Sequence, residues 1–414
     1  MATLALVVGT LVACREDLDG TVGCPALCPE QNIVSNDTLL ETFIAVDSTI
    51  TGYPSLGTEG FLLVASRGDT LDARAVMRFD TLTQNFTRGG ADSAIYALDS
   101  SMVIMRLDTT GTKATAPVTV ELYDVDTTAV DTSTAAVLAL FRPDRLIGGK
   151  TFAVNEIKDT LRVPLANDKV LGKLTGSAPR RLRIGFRLQS STSAQIRIFS
   201  REGGFTNQLS YDPSPDTLVR PLLNSPASLT PTDNPVIRID LTDYQLVAKS
   251  TGSSAGSLLG VGGLPAQRAY LRFDIPTRLV DSTTIVRATL LLTQLPNASV
   301  DANDSLTIYP QVVRAAVELT DIGRSAGILN PANFEIDSIR VVPSSSGPRA
   351  IEMVGALRDW KTFGPKTVQR AIVLRSSAEG ASAPSALFYS SDAPPALRPR
   401  LRITYVNQVE FGIP

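Results

Sequence analysis

Residues 74–80 read RAVMRFD and residues 268–274 read RAYLRFD, one heptapeptide repeated with two apolar-for-apolar changes. Apolar side chains fall at alternate places, with Arg and Asp between them, the period of a β-strand. The match extends outward. FIAVDSTITGYPSLGTEGFLLVASRGDTLDARAVMRFD (43–80) runs beside VIRIDLTDYQLVAKSTGSSAGSLLGVGGLPAQRAYLRFD (236–274): an alternating strand, a Gly/Ser-rich turn, a small-residue stretch, then the shared strand. Downstream, SMVIMRLD (101–108) faces IVRATLLLTQL (285–295), and VTVELYDV (118–125) faces LTIYPQV (306–312). RRLRIGFRLQSS (180–191) faces VQRAIVLRSS (368–377), and QIRIFSRE (195–202) faces SALFYSSD (385–392). Equivalent positions stay roughly 186–194 residues apart, so the chain reads as two copies of one domain.

Each copy holds eight or more short strands with turn signals between them and few helical stripes. That pattern predicts an all-β chain of two tandem antiparallel β-sandwich, jelly-roll-like domains. The expected boundaries are 37–222 for the first sandwich, 223–235 for a linker, 236–407 for the second and 408–414 for a tail; the linker lies in the Pro/Ser/Thr-rich RPLLNSPASLTPTDNP (220–235). The clearest helix candidate is AIEMVGALRDWKTFG (350–364), with the only tryptophan, Trp360; LANDKVLGKLTG (165–176) holds the same place in the first copy.

A length of 414 residues suits two domains, each able to bury a core. Lys and Arg number 39 against 41 Asp and Glu, and no dense basic face is written in the chain, so a nucleic-acid partner is not expected. The chain has no histidine. That removes Ser-His-Asp and Cys-His catalysis and His-based zinc sites. Carboxylate chemistry remains, but it needs two carboxylates at a fixed separation. Glu202, Asp212, Glu352 and Asp359 include no pair marked by context, so no catalytic residue is assigned.

Residues 2–13, ATLALVVGTLVA, form an apolar run shorter than the roughly 20 residues of a membrane-spanning helix. The run reads as a signal peptide over 1–13. Leu11-Val12-Ala13-Cys14 resembles the bacterial lipobox, although no Lys or Arg opens the segment. The resemblance implies a lipidated Cys14 and a membrane partner through the lipid. With Arg15 in place of a retention Asp, it implies an outer-membrane or cell-surface location. Residues 14–36 then form a tether. Within it Cys24 and Cys28 suit a small disulfide loop, because CxxxC without further Cys or His cannot fill a tetrahedral zinc shell.

The second copy resembles the DNRLRE-type domain, a disaggregatase-related β-sandwich of secreted and surface proteins. AYLRFDIP (269–276), IEMVGALRDW with FGPKTVQRAIVLRSS (351–377), and LFYSSDAPPALRPRLRITY (387–405) carry the likeness. The first copy keeps AVMRFDTL and IFSREGG but lacks the tryptophan and the Arg-Pro-Arg-Leu end. The resemblance implies a module of the kind found in carbohydrate binding and in large surface proteins.

Each site candidate has a functional and a structural reading. Trp360 could stack on a sugar ring or plug the core. Tyr389 lies in a strand and is core or surface according to its face. Asp80 and Asp274 could bind calcium or sugar, or cap turns and pair with Arg78 and Arg272. Calcium is the one cofactor the acidic loops suggest, through Asp124 and Asp126 in DVDTTAVD (124–131) and Asp301, Asn303 and Asp304 in DANDS (301–305). Neither loop has EF-hand spacing, and a solvated turn is the alternative. The leading expectation is a non-catalytic surface lipoprotein that binds polysaccharide or extracellular matrix. The alternatives are a self-assembling structural subunit of a surface assembly and a polysaccharide-degrading enzyme.

Overall fold

The computed structural model describes residues 35–88, 90–126, 133–176, 180–204, 206–213, 220–228, 241–250, 255–297, 304–314, 319, 321–329, 337–363 and 369–407. The signal segment 1–13, Cys14, Cys24, Cys28, most of the tether, Asp301, Asn303 and the tail lie outside the described residues.

The chain is all-β, and among the described residues the ladders between its strands are antiparallel, the arrangement in which one face of each strand is commonly buried. Two sandwich bodies repeat one plan. In the N-terminal body one layer runs Ala194–Phe199, Phe61–Arg67, Leu71–Phe79, Leu182–Ser190, Val118–Asp124, Leu146–Phe152. The facing layer runs Thr160–Pro164, Leu98–Arg106, Gln208–Pro213, Leu222–Asn224. In the C-terminal body the equivalents are Ser385–Phe388, Leu259–Gly262, Ala266–Phe273, Ala371–Ser376, Leu306–Val312, Ile339–Val341, facing Gly347–Glu352, Thr283–Leu295, Arg400–Asn407, Ser35–Leu40. The layers join where Gln294 and Leu295 pair with Phe388 and Leu387. The duplicated strands thus occupy matching places.

The two Arg-Phe-Asp strands lie mid-layer. Phe79 and Phe273 point into the two sandwich cores, as the alternation predicts. The opposite face is buried too. Arg78 is almost fully enclosed, with its guanidinium over the Tyr244 ring. Arg268 forms a two-point pair with Glu379 (Nε–Oε1 2.6 Å, Nη2–Oε2 2.5 Å) and donates to Ser325. Further segments cover that side, so Arg78 lies under the Tyr244 ring and Arg268 is held in a buried ion pair with Glu379.

The helices fall where the sequence places them. Asn167–Thr175 buries Val170 and Leu174, and Val354–Phe363 buries Ala356, Leu357 and Trp360. The second begins at residue 354 because the first residues of the expected segment belong to the strand Gly347–Glu352.

The expected division at 223–235 does not match how the strands sort. Ser35–Leu40 pairs with Arg400–Asn407, and Ile44–Gly52 pairs with Ala266–Phe273, both in the C-terminal body. Reciprocally, Leu222–Asn224 pairs with Gln208–Pro213, and Asp243–Ser250 pairs with Leu71–Phe79, both in the N-terminal body. Each copy's leading strands complete the other copy's sandwich. The described part of the expected linker is also built in: Ala227 exchanges backbone hydrogen bonds with Arg78 (2.8 Å) and Asp80 (2.9 Å). The reason is that the two receiving edges are near-copies, so the pattern within a strand cannot say which edge it joins.

Candidate functional site

The bodies meet along an apolar seam of Leu63, Ala65, Leu71 and Ala73 against Leu264 and Ala381. Buried Gln245 ties it, accepting from the Leu63 amide (2.8 Å) and donating to the Gly380 carbonyl (2.7 Å). Beside the seam opens a polar cleft of about 400 Å³, lined from both bodies.

One wall is built on Ala194–Phe199 and the turn 108–113. Arg197 Nε donates to Asp108 Oδ2 (2.6 Å), and its Nη2 donates to the Thr110 hydroxyl (3.1 Å). The guanidinium lies 4.8 Å from the Phe61 ring centre, and Phe61 packs against Phe199 at 5.1 Å. A Cβ on Gly111 would overlap that guanidinium, so a larger residue there would displace the Arg197 side chain from its place against Asp108. Burial pushes the Asp108 carboxyl up, but the Thr110 hydroxyl and Arg197 outweigh it and hold the group below the usual carboxylate range. Gln195 donates to the Gly111 carbonyl (2.7 Å).

The other wall comes from the C-terminal body. Asp304 is buried and paired with Lys113 across the cleft. Arg340 reaches the Ser305 hydroxyl with Nε (3.1 Å) and Nη2 (2.9 Å), and Ser376, Ser377 and Ser382 add hydroxyls. Forked guanidinium, carboxylate and amide groups held in place, among many hydroxyls, suit a ligand with several adjacent hydroxyl or carboxylate groups.

A second cavity, of about 250 Å³, lies against the crossover 53–60, between Tyr53, Pro54, Glu59, Gln245 and Gly380. Burial pushes the Glu59 carboxyl up to about 7 despite backbone amides that favour its charge, and Asp243 adds to the rise. Burial and then the charge of Glu202 likewise push Asp243 up to about 7.

Of the residues singled out from sequence, only Asp304 lines the polar cleft, and its described partner there is a lysine. Asp124 and Asp126 are neutralised from several sides. Lys173 Nζ lies 2.8 Å from Asp124 and 3.5 Å from Asp126, Arg181 lies 2.8 Å from Asp126, and Arg145 donates to both backbone carbonyls. Among the described residues no group of three or more acidic, Cys or His side chains is arranged to hold a metal. Trp360 is 2% exposed and packs on Phe273 at 5.3 Å, so its ring has no face open to a sugar. Asp80 pairs with Arg183 through both oxygens (3.1 Å each), whereas Asp274 is exposed. Tyr389 is half-buried and lies outside the cleft lining. Sequence reading missed Asp108, Lys113, Gln195, Arg197 and Arg340. The one available signal was Arg197 between two isoleucines in QIRIF.

No protein-family model and no curated protein matches the chain. Among solved structures, "BspA_C_WT" aligns over 88% of this chain and 91% of that one at 7% identity and TM-score 0.19. The C-terminal domain of the Streptococcus pyogenes antigen I/II-family protein AspA aligns over 85% and 92% at 8% identity and TM-score 0.16. The VP2 subviral particle of infectious bursal disease virus aligns over 90% and 76% at 9% identity and TM-score 0.13. Similarity at this level does not establish a shared fold. Among the described residues no helix is long and apolar enough to cross a membrane.

Proposed function

We propose that the chain is an exported, non-catalytic binding protein of the cell surface, and that the cleft between its bodies takes a saccharide segment of a polysaccharide or matrix. The observation that carries this reading is the cleft lining: Arg197 fixed on Asp108 and Thr110, Arg340, Gln195 and a rank of serine hydroxyls, contributed by both bodies. Sugars present neighbouring hydroxyls that such fork-shaped groups bind in pairs, and a cleft with two walls fixes their orientation. The resemblance of the second copy to DNRLRE-type domains and the lipobox-like Leu11–Cys14 point the same way.

A panel of immobilised polysaccharides tests the reading. Binding by the unaltered protein, weakened at least tenfold by Arg340→Ala with the circular dichroism unchanged, supports it. Absence of binding across the panel, or binding indifferent to Arg340→Ala and Arg197→Ala, refutes the cleft assignment. Release of free sugar would refute the non-catalytic part. Anchoring is read separately: Cys14→Ser moves the protein from the membrane fraction to the soluble fraction if Cys14 carries lipid. A second reading, a subunit of an extracellular assembly, is favoured by the exchanged leading strands.

A further inference from the structure

The N-terminal body is complete within one continuous stretch, residues 61–250, because its completing strands Leu222–Asn224 and Asp243–Ser250 follow it directly. The C-terminal body has no such strands after it in the described chain. It is completed by an arm, residues 35–52, which lies before the whole N-terminal body. The arm is bound by specific contacts. Ile44–Gly52 pairs with Ala266–Phe273 along the strand, and Ser35–Leu40 pairs residue for residue with Arg400–Asn407. Phe43 enters the core and stacks on Phe273 at 5.5 Å, in the group that includes Trp360. The Asp47 carboxylate accepts from the Ser391 amide (2.7 Å) and hydroxyl (3.0 Å). Thr49 donates to the Leu258 carbonyl and accepts from the Gly260 amide, each at 2.9 Å. Asp37 pairs with Arg402 at 3.1 Å. All the strand partners of the arm are in the C-terminal body, and the crossover 53–60 joins it to the N-terminal body.

We propose that the arm of one copy completes the C-terminal body of a second copy, linking the protein into closed dimers or head-to-tail chains through the bonds that close the monomer. No new surface is needed. Every backbone pair, the Phe43 stack and the Asp47 contacts are the same in trans, so the two arrangements differ only in chain connectivity. That is the condition for strand donation and domain swapping. What favours the closed monomer is the crossover, which holds the arm near its own slot at an effective concentration on the order of millimolar. Crowding on a surface, or a crossover too short to reach, shifts the balance to linkage. The contact is heterologous, arm to slot, so it propagates wherever the rotation between copies does not close a ring. This assembly does not depend on the cleft binding a sugar.

Cysteine trapping in trans tests the proposal. Leu39 and Arg402 are register partners whose side chains are both exposed, 42% for Leu39 as a residue and 59% for the Arg402 side chain, so cysteines there leave the cores untouched. In a background with Cys14, Cys24 and Cys28 changed to Ser, Leu39→Cys is placed in one full-length chain and Arg402→Cys in another that carries a tag. The two are unfolded together, refolded at rising concentration and oxidised. The expected product is a disulfide-linked heterodimer that increases with concentration and exceeds the homodimers of either variant alone. The double variant in one chain should close an internal disulfide at high dilution, which confirms that the two positions meet. A second variant lacks residues 56–58, shortening the crossover by about 10 Å. It should be dimeric or larger by light scattering at every concentration. If heterodimer never exceeds the homodimer background while the internal disulfide forms, or if the shortened chain is a folded monomer, the proposal is wrong.

Discussion

Asp80 and Asp274 hold the same place in the repeated heptapeptide yet differ in energetic role. Asp80 is buried and paired through both oxygens with Arg183, which is itself buried. Removing one member of such a pair leaves an uncompensated charge in a low-dielectric site. Asp80→Ala should therefore lower stability by ~3 kcal/mol, whereas Asp274→Ala should change it by less than about 0.5 kcal/mol. Urea midpoints of the two variants compare them directly, and equal effects would disprove the distinction. Titration is the other residue-scale consequence. With no histidine, nothing in the composition foretells a group changing charge near neutrality. Among the described residues folding supplies two, because burial lifts the Glu59 and Asp243 carboxyls from the ordinary carboxylate range to about 7. Between about pH 4 and 7 the folded state holds protons that the unfolded chain has released. Stability from these groups is thus fully present at acidic pH, falls as pH rises to about 7 and is flat above that. At about 1.4 kcal/mol per pKa unit the loss is on the order of several kcal/mol for the two together. The combined change Glu59→Gln and Asp243→Asn should flatten the fall in urea midpoint between pH 5 and 8, and an unchanged slope would show that other groups cause it.

At the scale of elements, the arm decides the most. Ser35–Leu40 is alternately exposed and half-buried, and most of Ile44–Gly52 is half-buried, so the strands alone bring little apolar area. Phe43, between them, is the anchor, fully inside the core beside Phe273. Phe43→Ala should cost ~3–5 kcal/mol, lost from the C-terminal body although the residue lies at the other end of the chain. Hydrogen exchange would show the loss as faster exchange in Arg400–Asn407 and Ala266–Phe273, and faster exchange confined to the N-terminal body would contradict the observed pairing. The Arg-Phe-Asp strands show how far sequence reading goes for an element. Alternation placed both phenylalanines in the core correctly. It set Arg78 and Arg272 on the opposite face without saying what lies against it, and that face is covered by Tyr244 over Arg78 in one body and by Glu379 and Ser325 around Arg268 in the other. The covering segments are remote in sequence and carry no local signal.

At the scale of the whole molecule, the bodies are joined by an apolar seam, the Gln245 bridge, the Lys113–Asp304 pair and the exchanged strands. A chain so connected should unfold in one cooperative transition by calorimetry, with equal calorimetric and van't Hoff enthalpies. Two separated transitions, each with the heat of a single sandwich, would show the bodies to be independent. The same joining creates the candidate site, because the cleft has one wall from each body. The sequence by itself determined the duplication, the all-β class, the positions of most strands and both longer helices. Those follow from local periodicity, and strand and helix formation answer to neighbours a few residues away. Only the tertiary structure decided which edge each leading strand joins, which arginines are buried, and that Asp108, Arg197, Lys113, Asp304 and Arg340 share a cleft. Two copies of one pattern offer two equivalent edges, and only connectivity and packing between distant segments can choose between them.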